Sequence, residues 1–158
     1  SSQALTHLRL MLTHDQVTGE MTEQPTTQSL DATFDARGLE IFRQNLKLIK
    51  MAATMMGSQL FVIKQPTLIV PDLAPELRKE CGYHNHGFDH NAHVKAYQGI
   101  YRVIEEEVVA ADIIDLTGMS GNKDYFYDHV HPTHPLGVNA ITEMVAPVLE
   151  DWLRSNSR

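Results

Sequence analysis

This sequence has a single cysteine and contains no apolar run long enough to cross a membrane. Cys81 has no second cysteine to pair with, so an internal disulfide is excluded and cysteine usage does not indicate a cellular compartment. The longest apolar stretches, residues 60–63 and 68–70, fall far short of the roughly 20 residues that a membrane-spanning helix needs. The sequence therefore predicts neither a disulfide-stabilised scaffold nor a membrane span.

Basic residues are also scarce relative to acidic ones. The chain has 13 Lys and Arg against 20 Asp and Glu, a formal net charge of -7 at pH 7, and its basic residues are scattered along the sequence. Because an acidic surface repels a phosphate backbone unless its cations form one patch, this balance argues against nucleic-acid binding.

The length of 158 residues and a hydrophobic content of 42% suit one domain, residues 1–158, with a single core. Residues 1–37 begin with leucines at helical spacing and continue into a polar segment rich in turn formers, which predicts a helix and a surface loop. Residues 38–154 carry a helix-strand-helix-strand-helix pattern. The first residue is Ser1 and no signal-peptide layout follows it, so we expect a removed leader or an internal position in a longer protein.

Three helices are predicted from apolar positions that recur every three or four residues. The first helix runs from Leu39 and stops at Gly57. The second helix begins after an N-cap at Asp89 and runs to about Ala110, and the glutamates of residues 105–107 are expected to face water. The last covers about residues 135–153, and Pro147 should kink or break it. The inward stripe of the first helix is Leu39, Phe42, Leu46, Ile49, Ala53 and Met56, and that of the last is Val138, Ile141, Val145, Val148 and Trp152.

Two short runs, residues 60–63 and 112–116, predict buried strands, and residues 66–88 predict an irregular connection with one helical turn near residues 75–79. Alternating helices and buried strands are typical of an α/β fold with a parallel sheet covered on both faces. Two strands are too few for such a sheet. We therefore expect further strands from residues before Ser1 or from another chain.

Asp128 and His131 have the spacing of an acid-base pair. In a tight turn, residues three apart approach each other, so Asp128 can accept a hydrogen bond from one imidazole nitrogen and leave the other free to act as a base. His129 and His134 flank the pair and are interpreted as turn residues, with His134 the best substitute for the base. Asp115, which ends a predicted strand, is interpreted as a loop anchor.

Residues 127–137, in which Asp128, His131 and Pro132 are followed by Gly137, resemble the last sequence block of the SGNH (GDSL) hydrolase family. Residues 42–46, 62–66 and 113–116 resemble the helix and strands that precede that block, so the likeness covers roughly residues 38–154. It implies a three-layer α/β/α, flavodoxin-like fold and hydrolysis of carboxylic esters, acyl or acetyl, of lipids or acylated carbohydrates. Asp128 would be the orienting acid and His131 the general base, and no cofactor is implied.

The family's other motifs do not occur in this chain. It contains no Gly-Asp-Ser block for the nucleophile and no Gly-x-Asn-Asp block for the oxyanion. In the family these motifs come before the Asp/His block. The resemblance therefore implies a serine supplied by an N-terminal fragment or by a partner chain.

Two other functions fit the same residues. One is a non-catalytic binding or interaction domain on the hydrolase scaffold. The other is a metal-binding protein, because zinc ligands crowd the His-rich loop of residues 84–93 and a second histidine group lies near residue 131. The two groups are Cys81, His84, His86, Asp89, His90 and His93, and His129, His131 and His134. Without metal binding, the first group is interpreted as a polar loop and helix start, or as the rim of a substrate pocket.

Overall fold

The computed structural model describes residues 36–81, Tyr83 and residues 88–156, so the helix and loop predicted for residues 1–35 lie outside it. The helices are α1 (Ala36–Met55), α2 (Pro75–Arg78), α3 (His90–Glu107) and α4 (Leu136–Asn156), and the strands are β1 (Val62–Lys64) and β2 (Ile113–Asp115). Short 3-10 segments cover Ala110–Asp112, Thr117–Met119 and Lys123–Tyr125. None of the helices within these described ranges is long and apolar enough to cross a membrane.

The two strands pair in parallel, which places the chain in the α/β class. In this register Val62 lies opposite Ile113, and Lys64 lies opposite Asp115. Within the described residues the sheet consists of these two strands alone. The carboxyl ends of both strands thus lie together, and the loops that follow them begin at the same edge.

Helix α1 confirms the predicted helix and its stop. Gly57 adopts a φ of +64°, and the N–H of Ser58 donates to the carbonyl oxygen of Ala53 at 2.9 Å, which closes the last turn. The prediction of one continuous buried stripe is wrong for the second half, where Ile49 is 52% exposed and Met56 77% exposed. The Lys50 ammonium donates to the carbonyl oxygen of Glu107, the last residue of α3. The last turn of α1, which follows Lys50, therefore extends past the end of α3.

Helix α3 begins where predicted and ends earlier. The Asp89 carboxylate accepts a hydrogen bond from the N–H of Ala92 at 2.8 Å, as an N-cap does. The helix stops at Glu107 because Val108 takes an extended backbone, with φ of -117° and ψ of 136°. Glu105 and Glu106 are exposed, as expected of a solvated face, whereas Glu107 is half-buried, and all three glutamates also pair with cations. Glu105 binds Lys64 at 2.7 Å, and Glu106 and Glu107 each bind Arg43 at 2.6 Å.

Helix α4 runs unbroken through Pro147. Its first turn packs closely, since Gly137 is buried. Of the predicted inward residues, Ile141, Val145 and Val148 are half-buried, whereas Val138 is 38% exposed and Trp152 36% exposed. The helix contacts the 3-10 segment Lys123–Tyr125 and β2, and Trp152 near its end packs edge-on against Phe61. Several of its apolar side chains are nevertheless left exposed by the described residues.

Two apolar clusters form the core. One lies between α1 and α3 and contains Leu46, Val103 and Ile104. The other packs the loop after β1 against α3 and against Phe126, through buried Leu68 and Val94. This second cluster holds the loops that leave both strands, so it positions the candidate site.

The close packing of Gly137 yields a stability prediction. A Cβ at this position would lie 2.3 Å from the carbonyl oxygen of Tyr125 and 3.0 Å from the Cβ of Pro132. We expect Gly137→Ala to lower the free energy of unfolding by about 1–3 kcal/mol, because backbone must move to make room. Urea unfolding followed by circular dichroism measures this.

Gly38→Ala is the matched control, since no atom of the described residues lies within 4 Å of its added Cβ. We expect it to be neutral or to stabilise the protein by up to about 1 kcal/mol, because alanine favours the helix. Equal stabilities of the Gly137→Ala variant and the wild-type protein would contradict the packing described here.

Candidate functional site

The loop that carries Asp128 and His131 is a narrow, hydrogen-bonded turn. Phe126 and Pro132 form an antiparallel bridge at its base, and the N–H of Tyr127 donates to the carbonyl oxygen of His131 at 2.9 Å. Phe126 is 1% exposed and anchors the loop in the core. The turn therefore holds His131 outward from a fixed base.

The Asp128 carboxylate organises this turn. One oxygen accepts from the N–H groups of Val130 at 2.8 Å and His131 at 2.9 Å, and the other accepts from Nδ1 of the His131 ring at 2.7 Å. Partial burial raises the pKa of Asp128, but these hydrogen bonds and the His131 charge outweigh it and lower that pKa to about 2. Asp128 is therefore ionised at neutral pH and able to stabilise an imidazolium.

The structure thus brings together the two residues that the sequence singled out. A proton on Nδ1 of His131, bonded to Asp128, leaves Nε2 with a free lone pair, which is the tautomer a general base needs. The His131 side chain is 74% exposed. Among the described residues, no serine hydroxyl hydrogen-bonds to His131, so this part of the chain contains an acid-base pair and no adjacent nucleophile.

The flanking histidines occupy different places. The His129 ring lies 6.4 Å from that of buried His93, centroid to centroid, at 76° to it. His134 is exposed, and its backbone N–H lies 3.4 Å from the hydroxyl of Tyr127. The hydrogen bond to Asp128 therefore favours His131 over both neighbours.

Thr67 joins the turn to the loop after β1, a role that the sequence did not reveal. The carbonyl oxygen of His129 accepts from the N–H of Leu68 and from the Thr67 hydroxyl, each at 2.8 Å. The N–H of Thr67 donates to the hydroxyl of Ser120 at 3.1 Å. One threonine thus connects the loops that follow both strands. The signal in the sequence is its place just past a strand end, the edge where α/β sheets hold their sites.

A cleft of about 410 Å³ opens beside Thr67, between residues 64–71 and one face of α3. Hydroxyl-bearing Thr117 and Ser120 border it on the side of the second loop. The helix contributes Tyr97, Gln98, Tyr101, Arg102 and Glu105. Tyr97 and Tyr101 lie four residues apart on the predicted helix, and no motif in the sequence marks the cleft that they line.

Lys64 lies in the wall of this cleft as a buried cation. Its ammonium contacts Glu105 and Asp115, each at 2.7 Å. Burial lowers the pKa of Lys64, but the two carboxylates outweigh it and raise that pKa overall. Burial likewise raises the pKa of Asp115, and its bonds to Lys64 and Thr117 reverse the direction and lower it. Asp115 also accepts from the N–H and the hydroxyl of Thr117, so its prediction as a loop anchor is confirmed.

The four histidines of the first predicted metal group differ in whether the structure describes them. His84 and His86 lie outside the described residues, whereas His90 and His93 are buried and not part of a polar surface. The Tyr83 hydroxyl and Nδ1 of His90 lie 2.8 Å apart. Burial, and then the charge of Arg78, lowers the pKa of His90. Neither described histidine of this group lines the cleft beside Thr67.

The metal interpretation gains no support from the part of the chain that the structure describes. No group of three or more His, Cys, Asp or Glu side chains there could hold a metal ion. Cys81 is a free, buried thiol, and burial raises its pKa. That direction disfavours the thiolate, the form in which cysteine binds metal.

The Asp128 hydrogen bonds yield a titration prediction. NMR of the carboxyl carbon should show a midpoint of about 2 in the wild-type protein. We expect His131→Ala to raise this pKa, because the imidazole bond and charge are lost. It should stay below the usual 3.8, because the two backbone N–H bonds remain. His134→Ala is the control and should leave the midpoint unchanged.

The same shift predicts an acid dependence of stability. Because the folded pKa lies below the usual value, ionised Asp128 stabilises the fold above about pH 4, and this contribution is lost as the pH falls towards 2. Asp128→Asn should therefore flatten the loss of stability over that window. A midpoint that His131→Ala leaves unchanged would contradict the hydrogen bond between the two side chains.

Comparison with known proteins adds nothing to this geometry. No family model, no curated protein and no solved structure matches the chain. A functional assignment therefore has to rest on the Asp128–His131 pair, the cleft beside it and the loops that hold them.

Proposed function

We propose that the chain supplies the acid and the base of a carboxylic ester hydrolase of the SGNH type. The observation that carries the proposal is the 2.7 Å contact between Nδ1 of His131 and an ionised Asp128, which is itself held by two backbone N–H groups. An imidazole oriented in this way is the general base that activates a serine hydroxyl in hydrolases.

In the proposed reaction, a serine outside this chain attacks the carbonyl carbon of an acyl or acetyl ester. His131 takes the serine proton at Nε2 and returns it to the leaving alcohol, which leaves the acyl group on the serine. His131 then takes a proton from a water that attacks the acyl carbonyl and returns it to the serine oxygen, which releases the carboxylic acid. Asp128 keeps the ring in the required tautomer and stabilises the imidazolium formed between the two proton transfers of each step. Hydrogen-bond donors that also lie outside the chain would hold the oxyanion.

The proposed scaffold is a three-layer α/β/α, flavodoxin-like fold of which this chain forms a part. Two features of the described residues support it. In β1, Ile63 is 46% exposed, although strand residues of a covered sheet are buried. Helix α4 has exposed apolar positions, which are Leu136, Val138, Met144, Leu149, Trp152 and Leu153. Further strands from an N-terminal fragment or a partner chain would pair with the open edge of β1 and cover these side chains.

The proposal is tested by labelling with a fluorophosphonate, which reacts with activated serines. The sample is the protein from its own source, together with any polypeptide that accompanies the chain. We expect the label on a serine outside residues 1–158. His131→Ala should reduce both labelling and p-nitrophenyl acetate hydrolysis by about 10³-fold or more, because the serine loses its base.

His134→Ala is the matched control, since it removes a neighbouring exposed imidazole that does not contact Asp128, and it should retain activity. Full hydrolysis by the His131→Ala variant would refute the proposal. Label on Ser58 or Ser120 would refute the external serine. Absence of both labelling and hydrolysis in the wild-type sample would favour the alternative, a non-catalytic binding domain on the same scaffold.

A further inference from the structure

The cleft beside Thr67 has ends of different character. Residues 64–71 run antiparallel to α3, so Lys64 meets Glu105 at one end, and Ile69 and Val70 lie with Val94 at the other. Between Val94 and Glu105 the helix rises roughly 16 Å. The cleft is thus elongated, with a polar end, an aromatic middle and an apolar end.

At the polar end the charges are balanced. The ammonium of Lys64 is already offset by Glu105 and Asp115. Within the described ranges, no carboxylate lies within salt-bridge distance of Arg102, so its guanidinium is available to a ligand. Because a negative Glu105 lines the same end, the site does not favour a phosphate or another strong anion. It favours a neutral ligand that accepts and donates several hydrogen bonds.

The exposed polar groups fit such a ligand. Gln98 and Arg102 lie one turn apart on the same face of α3 and are both exposed. The amide of Gln98 both donates and accepts, and the guanidinium offers several donors in a fixed plane. An acyl chain placed here would remove these groups from water without replacing their hydrogen bonds, which is unfavourable.

The aromatic middle provides ring surface. The rings of Tyr97 and Tyr101 lie 6.0 Å apart, centroid to centroid, at 37° to each other. The Tyr101 hydroxyl donates to the carbonyl oxygen of Gln65, so that ring is fixed. The Lys64 ammonium lies over one face of the Tyr101 ring, 5.5 Å from its centroid, and the two tyrosines together offer apolar contact area at low entropic cost to the C–H groups of a sugar.

We infer that this cleft binds the neutral, polyhydroxylated part of an acylated carbohydrate. The inference rests on the proposed function, because it assigns the alcohol part of the ester substrate and favours acylated carbohydrates over lipids. Thr67 lines the cleft and also donates to the carbonyl oxygen of His129, so a ligand there lies beside the turn that carries His131. The binding itself requires no nucleophile.

Proton-nitrogen and aromatic proton-carbon NMR spectra of the chain test the binding directly. The saccharide probes are methyl glucoside, methyl galactoside, xylobiose and cellobiose. Octanoate tests whether the cleft binds an acyl chain, and inorganic phosphate tests whether it binds an anion. We expect at least one saccharide to shift the amide signals of Gln98 and Arg102 and the ring signals of Tyr97 and Tyr101. Octanoate and phosphate should leave these signals in place.

Two variants localise the binding. Arg102→Ala and Gln98→Ala should each weaken saccharide binding about tenfold, the effect of losing one or two hydrogen bonds to a bound ligand. Lys95→Ala is the matched control, because Lys95 is an exposed cation on the same helix outside the cleft. It should bind as the wild-type protein does.

The inference and the proposed function fail separately. No shift with any saccharide, a shift with octanoate or phosphate alone, or unchanged binding by both variants would overturn the inference while leaving hydrolysis through His131 intact. If the protein binds a saccharide but the His131→Ala variant still hydrolyses esters, the cleft remains a sugar site and the proposed function is refuted.

Discussion

The buried ammonium of Lys64 is the constraint on which the carboxyl edge of the sheet depends. It lies at the end of β1, opposite Asp115 in the parallel register, and also contacts Glu105 of α3. Without that cation, two carboxylates would face each other across the strand ends. Because taking an ammonium out of water is itself costly, the interaction specifies where strands and helix meet more than it adds to stability. Both functional loops leave from this edge.

The position of His131 follows from that edge through a short series of hydrogen bonds. Asp115 holds the turn that starts at Thr117, and Ser120 in the same loop accepts from the N–H of Thr67. Thr67 in turn donates to the carbonyl oxygen of His129, 62 residues further along the chain. The backbone on both sides of the cleft is thereby fixed relative to the Asp128 turn. This explains how an exposed imidazole keeps a defined place.

The features that could be predicted from the sequence depend on near neighbours along the chain. Asp89 caps its helix through Ala92, and Asp128 binds His131 three residues away, so spacing alone predicted both contacts. The features that could not be predicted depend on distant partners. The ion pairs of glutamates 105–107 could not be predicted, because their partners Lys64 and Arg43 lie far away in the sequence.

The cleft was missed for the same reason. It combines Lys64, Tyr97 and Ser120, which come from three separate segments and carry no common motif. Likewise His90 and His93 are polar in sequence but buried in the structure, because Tyr83 and the core around them supply ring contacts and a hydrogen bond. Helical periodicity indicated which residues of α3 share a face, but not what lies across from that face.

In the proposed enzyme, one missing segment explains two features: the exposure of the Asp128–His131 pair and the exposed apolar side chains of β1 and α4. With the His131 side chain 74% exposed, solvent screens its interaction with Asp128, and a base in water gains little from its carboxylate. A segment that paired with β1 and covered Ile63 would bury apolar surface and, if it also brought the serine to His131, would exclude water from the pair. We therefore expect one polypeptide to supply the further strands and the nucleophilic serine, and to exclude water from the Asp128–His131 pair. A nucleophile that reached His131 without extending the sheet would leave Ile63 and the apolar face of α4 exposed.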